Sequence, residues 1–423
     1  MSNVTKLIKT DVDENNNKFW QATLNDDGSV LCEWGRVGGK GQSKTFSGGQ
    51  SYIDKKVREK ERKGYKKIDF VGNFEKTTEK VISSSNLKNA AKSQIQYSSK
   101  LVEKFIDELV KQNRHQIMEA SGDQITINKD GLVTTVLGDV LKLETIKNAR
   151  KTLKEINKFI KKKDFDSSEF KSSINDYLTL VPHKVGSKKG WHKYFIVSQD
   201  DVVKHNTFLD SLENSISVAE ERLKKSSDNP ETPEENKIFD LSIDLEEDRD
   251  ILNWVDKFYN KTRQNIHTSA RLSPNKVFKI KIGHVNEGFE SYGSKLDNQW
   301  DLWHGTNTSN LLSILHKGLV MPSECGVAHG SMFGPGIYFS DQSTKSLNYS
   351  YGYWSGGRNS VCHMFIAKVA MGNIKVPRGP ISKKPEKGYD SYFAKAQQSG
   401  VMNNEMIVFD TRQINLNYIV QFS

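Results

Sequence analysis

The sequence is short of cysteine, with three in 423 residues: Cys32, Cys325 and Cys362, odd in number and far apart. That spacing excludes a disulfide framework and a C-x-x-C zinc site, and it points to a reducing compartment. Long apolar runs are missing too. No stretch approaches the ~18 residues of a membrane span, and the opening MSNVTKLIKTDVDENNN has no apolar segment of the kind a secretion signal carries. The expectation is a water-soluble chain with no membrane partner. Hydrophobic residues make up 35% of the sequence and the mean hydropathy is -0.64. At this length that implies moderate cores under a polar surface, divided among roughly two or three domains. No internal repeat is visible.

The net charge of +10 is unevenly spread. Between residues 36 and 67, eleven Lys or Arg are opposed only by Asp54, Glu59 and Glu61. Such a block attracts phosphate backbones by releasing their counterions, which makes nucleic acid the natural partner; a solvated, lysine-rich helix is the alternative. A second basic run, residues 147–163, reads differently. There Ala149, Leu153, Ile156 and Ile160 recur at helical spacing while Lys147, Lys151, Lys154, Lys158 and Lys161 fall on another face, the pattern of a half-buried helix.

Three segments separate by pattern. Residues 1–75 alternate in the β manner (FWQATL, VLCEW), with turn clusters at Asp26-Asp27-Gly28 and Gly38-Gly39-Lys40-Gly41 and a basic helix near 51–64. Residues 76–98, rich in Ser, Thr, Lys and Asn, read as a linker. Residues 99–225 read as a helical bundle, with one stripe of Leu101, Val102, Phe105, Ile106, Leu109 and Val110 and another of Phe208, Leu212, Ile216, Ala219 and Leu223. The acidic turn segment 226–236 marks the next boundary. Residues 226–423 then carry strand-like runs at 277–282, 362–371, 406–409 and 418–422 separated by Gly-rich loops, a mostly antiparallel sheet with few helices. The fold class expected is multidomain α+β.

Chemistry concentrates in LWHGTNTSN at 302–310, MFGPGIYFSDQSTKSLNY at 332–349 and NNEMIVFD at 403–410. With EWGRVGGKGQ at 33–42 and YLTLVPHKVG at 177–186, these blocks resemble the DNA-dependent poly(ADP-ribose) polymerases of compact type. That resemblance implies a small mixed-β WGR domain at 1–75, an all-α helical regulatory domain at 99–225 and an antiparallel-β ADP-ribosyltransferase domain at 226–423. It further implies that NAD+ is consumed as a substrate and that no metal is required. By the resemblance, His304 holds a ribose hydroxyl, and the backbone of Gly305, within His-Gly-Thr with Thr306, pairs with the carboxamide. Ser346 adds a hydrogen bond, Tyr338 and Tyr349 sandwich the nicotinamide ring, and Asn310 lies at the adenosine end. Glu405 completes a histidine, tyrosine and glutamate set associated with polymer formation.

The same resemblance makes the first domain a sensor of DNA ends or nicks, with Trp34 against sugar and base and Lys40 and Lys44 on phosphates. Arg36 serves either a phosphate or a contact with another domain. The helical domain blocks NAD+ entry until DNA loosens it. Protein acceptors include the enzyme itself, and the chain is a monomer without DNA. The implied compartment is the nucleus in a eukaryote or the cytoplasm and nucleoid in a bacterium. Departures from the family pattern are also present. No zinc finger or BRCT domain precedes the WGR segment, Val320 stands where many polymerising members carry an arginine, and the segment 382–404 is short, as in tankyrases and mono-transferases. The chain stops at QFS, so the accessory factor recruited by some relatives' longer tails is not expected. His316, His329 and His363 lack metal-ligand spacing, and Cys325 and Cys362 lack a base partner. A mono-ADP-ribosyltransferase and a DNA-end binding protein without activity are the alternatives.

Overall fold

The computed structural model describes residues 3–67, 94–128, 132–135, 140–198, 201–202, 204–213, 215–216, 239–321, 332–353 and 357–423. Ala219, Leu223, Cys325, His329, the segment 226–236 and most of the expected linker lie outside the described residues. The chain divides into two compact units, Met1–Ser84 with Arg114–Ala219, and Ser85–Asn113 with Glu220–Ser423.

The first unit contains a five-stranded sheet built from β1 (Asn3–Asp11), β2 (Asn16–Leu24), β3 (Val30–Arg36), β4 (Gln42–Phe46) and the short β5 (Lys66–Lys67), in the order β4-β3-β2-β1-β5. Its long strands alternate, as the sequence pattern requires. Leu7, Trp20, Ala22 and Cys32 form one face, which buries Ile53 of helix α1 (Gly49–Arg62). Each large apolar side chain buried there contributes about 1.5–3 kcal/mol. Of the α1 lysines Lys55 is exposed and Lys56 and Lys60 are half-buried, with Lys60 and Arg62 in the last turn, where the helix dipole favours cations.

The helical part of this unit includes α3 (Leu143–Lys162) and α4 (Ser168–Leu180). Helix α3 buries Ala149, Leu153, Ile156 and Ile160 and exposes Lys147, Lys151, Lys154 and Lys158, so the amphipathic reading of its basic run describes the real face. One cation departs from that pattern: Arg150 is 6% exposed and donates to Asn206 at 2.8 Å and to Glu213 at 2.7 Å. A hairpin, β7 (Ile125–Ile127) with β8 (Val133–Thr135), interrupts what the pattern read as purely helical. Helix α4 is bound to the β-sheet by Lys171–Asp13 at 2.6 Å and Lys66–Asp176 at 2.9 Å, and Val12 N donates to Asn175 Oδ1. Sheet and helices thus lie in one compact unit.

The second unit holds residues 100–113 of helix α2 (Lys100–Ser121), which the sequence pattern assigned to the helical segment. Val102, Phe105, Ile106 and Leu109 are buried there, whereas Leu101 is exposed, and the Phe105 ring stacks on Phe278 at 4.2 Å. The main sheet consists of β6 (Gln96–Tyr97), β9 (Leu241–Leu245), β10 (Pro274–Ile282), β11 (Gln299–Gly305), β13 (Cys362–Ala370) and β17 (Ile414–Phe422), in the order β11-β13-β17-β10-β9-β6. Its ladders are antiparallel except β6 on β9. A second sheet, ordered β12-β16-β15-β14, comprises β12 (Ile337–Phe339), β14 (Ile374–Lys375), β15 (Ser391–Ala394) and β16 (Glu405–Val408).

Strand β13 is buried along almost its whole length because helices cover the sheet: α5 (Arg249–Lys261) and α8 (Ser343–Tyr351) share its core cluster, while α6 (Gly283–Ser291) and α7 (Leu311–Lys317) complete the unit. At the centre of that cluster Trp303 is fully buried, stacked on Phe258 at 4.9 Å. Among the described residues no helix is long and apolar enough to cross a membrane.

Candidate active site

A backbone bridge joins the two sheets of the second unit beside the candidate site. Trp303 N donates to Ser340 O at 2.9 Å and Ser340 N to Trp303 O at 3.0 Å, an antiparallel bridge between the end of β11 and the residue after β12. The register of β12 on β16 pairs Phe339 with Met406, which places Glu405 beside that junction. Ser340 Oγ also donates to Asn404 O at 2.8 Å. Three residues far apart in sequence therefore converge for simple reasons of register: His304 follows Trp303 on β11, Tyr338 lies on β12, and Glu405 opens β16.

Each is held in a definite state. The Nδ1 of His304 lies 3.0 Å from Tyr338 O, and burial keeps its pKa below the ordinary histidine value. A neutral ring that donates from Nδ1 to that carbonyl presents Nε2 as an acceptor. The Tyr338 hydroxyl donates to Gly334 O at 2.8 Å and accepts from Phe333 N at 2.9 Å, so it locks the loop leading into β12. Burial, followed by the charge of Glu405, pushes the phenol of Tyr349 up to about 12; Tyr338 is raised by burial and by the same carboxylate. Both tyrosines remain neutral and lie within electrostatic reach of Glu405.

Helix α8 supplies the rest of the site. A Cβ added at Gly305 would lie 1.7 Å from the backbone oxygen of Ser346, so only glycine lets β11 approach this helix. Ser346 Oγ donates to Trp303 O at 3.2 Å, and Asn310 Nδ2 donates to Thr306 Oγ1 at 3.0 Å. The helix itself is pinned: Ser343 Oγ donates to Tyr259 O at 2.8 Å and Gln264 N to Thr344 Oγ1 at 2.9 Å. His304, Gly305, Thr306, Ser346, Tyr338, Tyr349 and Glu405 are thus gathered around β11, β12, β16 and α8. Val320 is 60% exposed.

Sequence reading missed Lys345. Its Nζ lies 2.7 Å from Glu405 Oε1, with both side chains nearly buried, and burial lowers its pKa against the pull of that carboxylate. The other oxygen, Glu405 Oε2, is buried without a hydrogen-bond partner. The signal was present in KSLNY, where Lys345 precedes Ser346 and lies four residues before Tyr349, but nothing local shows which acid it meets. The arrangement offers one anchored carboxylate oxygen, one free oxygen and an aromatic, water-poor surround. That suits positive charge developing on a sugar. Among the described residues no cluster of three or more His, Cys, Asp or Glu suited to a metal occurs. His316 and His363 are buried and lie beside Phe239 and Phe105.

A model of the WGR domain matches residues 4–71, a model of the poly(ADP-ribose) polymerase regulatory domain matches 99–240, and a model of the poly(ADP-ribose) polymerase catalytic domain matches 252–399. The chain belongs to the poly(ADP-ribose) polymerase family. It is an ADP-ribosyltransferase that consumes NAD+. Similar proteins of the family include poly(ADP-ribose) polymerase 2-A of Oryza sativa subsp. japonica, 26% identical over 479 residues that take in 99% of this chain and 69% of that protein. Poly(ADP-ribose) polymerase 1 of Arabidopsis thaliana is 26% identical over 469 residues, 99% of this chain and 46% of its own length. The protein of the same name from Danio rerio is 28% identical over 286 residues, 58% of this chain and 27% of its own.

The residues assigned to DNA lie in the first unit. Trp34 is half-buried, with Nε1 donating to Gln42 Oε1 at 3.1 Å, and Lys40 and Lys44 are exposed. Arg36 donates to Asn15 O at 2.9 Å and to Gly186 O at 2.8 Å, within the same unit. Of the two roles the sequence left open for Arg36, this geometry is that of a tie between sheet and helical segment.

Proposed function

We propose that this protein builds poly(ADP-ribose) on itself and on other proteins when its WGR segment meets DNA ends or nicks. The observation that carries the catalytic reading is the convergence of His304, Tyr338 and Glu405 at the Trp303–Ser340 bridge, with Glu405 Oε2 buried and unpaired. NAD+ binds with its nicotinamide between Tyr338 and Tyr349 and its carboxamide on Gly305 and Ser346. The His304 ring takes a hydrogen bond from a ribose hydroxyl. The bond from nicotinamide to C1 of the ribose then breaks through a loose, oxocarbenium-like transition state, and the leaving group departs neutral, so no strong acid is needed. Glu405 stabilises the growing positive charge, accepts a hydrogen bond from the incoming hydroxyl and takes its proton as that oxygen forms the new bond to C1, passing it on to solvent. Lys345 holds the carboxylate in place.

Trp34, Lys40 and Lys44 make the DNA contact, supported by the basic composition of residues 36–67. Relatives matching over nearly the whole chain are plant proteins, which favours a nuclear site of action. Labelled NAD+, incubated with the protein with and without nicked DNA and resolved on a gel, gives a DNA-dependent ladder. A single discrete product indicates mono-ADP-ribosylation instead, and no product leaves only a DNA-end binding role. Removing one transition-state contact costs about 10²–10³ in rate. Glu405→Gln therefore loses elongation by that order, more severely than it loses NAD+ cleavage. Equal loss of both contradicts its role in elongation.

A further inference from the structure

Helix α2 carries a polar residue where its pattern calls for an apolar one. Phe105, Leu109 and Asn113, spaced by four, form one ridge of the helix. All three are buried, Asn113 to 2% exposure. A buried amide costs stability unless it is hydrogen-bonded, so an asparagine in such a ridge calls for a specific partner. Its amide has one 196 residues away: Asn113 Nδ2 donates to Ser309 O at 3.2 Å. Ser309 is the middle residue of a single turn, Thr308–Asn310, and is itself buried.

The same turn is held a second time. Thr308 Oγ1 lies 3.1 Å from His363 Nδ1, and the buried His363 ring of β13 packs against Phe105 with the ring centres 5.3 Å apart. Phe105 in turn stacks on Phe278 of β10 at 4.2 Å. One ridge of α2 therefore reaches the turn twice, directly through Asn113 and indirectly through Phe105 and His363. The turn also closes back on the candidate site. Asn310 N donates to Asn307 O at 2.9 Å, and Asn310 Nδ2 donates to Thr306 Oγ1 at 3.0 Å, one residue beyond Gly305. The position of Asn310 is thus set through α2, whereas Tyr338, Ser346, Tyr349 and Glu405 belong to β12, α8 and β16.

We propose that Asn113 is a positioning residue for NAD+: by holding Ser309 it places Asn310, and so sets the affinity for the adenosine half of the substrate without touching the reacting atoms. This role rests on the proposed binding mode, in which Asn310 lies at the adenosine end. Nicotinamide release by the full-length protein with nicked DNA gives KM and kcat for NAD+, and inhibition by added nicotinamide reports the other half of the pocket alone. Asn113→Leu nearly keeps the side-chain volume and removes the amide donor. It raises KM for NAD+ about tenfold, while kcat and the inhibition constant of nicotinamide stay within about twofold of wild type. General loosening of the site moves all three together, so the split separates positioning from stability. Thr308→Val, close in shape, cuts the second tether and gives the same split, so the test stands if Asn113→Leu does not fold. Asn310→Ala checks the binding mode: if it leaves KM unchanged, the assignment of Asn310 to the substrate fails and the positioning role falls with it. If Asn310→Ala raises KM while Asn113→Leu or Thr308→Val matches wild type, or if nicotinamide inhibition weakens in step with KM in those two variants, the positioning role is overturned and the binding mode stands.

Discussion

Replacing Gly305 with alanine tests how tightly the site is assembled. The added methyl carbon would lie 1.7 Å from Ser346 O and 2.6 Å from Ser346 C, both backbone atoms, so no side chain can swing aside. Restoring even the 3.0 Å below which Cβ contacts are essentially never seen requires a shift of 1.3 Å at Ser346 O. Either β11 or α8 must move. β11 is fixed by its seven-residue ladder to β13, and α8 by the Ser343 and Thr344 hydrogen bonds. Overpacking of this kind costs about 1–3 kcal/mol of stability. The same displacement moves Lys345, Ser346 and Tyr349 relative to His304, and a misplacement of about 1 Å in a catalytic site costs on the order of 10²-fold in rate. Gly305→Ala is therefore expected to melt somewhat below wild type and to lose about a hundredfold in kcat/KM for nicotinamide release from NAD+, measured in the presence of nicked DNA. A folded Gly305→Ala protein with wild-type kcat/KM refutes both the geometry of this junction and the assignment of the pocket to it.

Stacking on a nucleotide is worth about 1–3 kcal/mol, so Trp34→Ala raises the DNA concentration giving half-maximal stimulation tenfold or more; an unchanged concentration removes Trp34 from the DNA contact. Arg150→Met breaks its ion pairs with Asp210 and Glu213, both of which reach solvent. The expected cost is therefore about 1–3 kcal/mol, below that of a fully buried pair. If the helical segment restrains the catalytic unit, activity without DNA rises, and a destabilised but silent variant sinks that restraint. This is a better test than deleting 99–225, because residues 100–113 pack within the second unit, where Phe105 stacks on Phe278. Burial holds the pKa of His183 at about 4 and that of His205 also well below the usual value, its ring in contact with Tyr177 and His183. Because the folded form resists protonation, stability is full above pH ~6.5 and falls as pH drops towards 4, by about 3 kcal/mol from His183 alone. Urea midpoints at pH 7 and pH 4.5, followed by circular dichroism, check it, and equal midpoints refute it.

Local pattern carried much of the fold. Alternation in FWQATL and VLCEW specifies strands with one buried face because period two is intrinsic to the extended chain. The spacing of Ala149, Leu153, Ile156 and Ile160 specifies the buried face of α3 for the corresponding helical reason. Arg150 lies in the same run and was not singled out by the pattern, yet it is buried. Its partners lie some sixty residues later, and no local rule reports them. The contact grouping was also hidden: residues 100–113 share a helix with residues of the other unit, a division that no shift in composition marks.

At the candidate site, the residues were named from HGT, GIYF and NNEMIVFD by resemblance to the family. What brings them together is register: the Trp303–Ser340 bridge and the Phe339–Met406 pair set His304, Tyr338 and Glu405 side by side. The sequence alone determined which side chains are available, which faces of strands and helices are apolar, and where the basic charge lies, since these depend on neighbours a few residues away. The pairing of Lys345 with Glu405, the tie from Arg36 to Gly186 and the need for glycine at 305 were decided only in three dimensions. Each joins groups brought together by sheet register and helix packing.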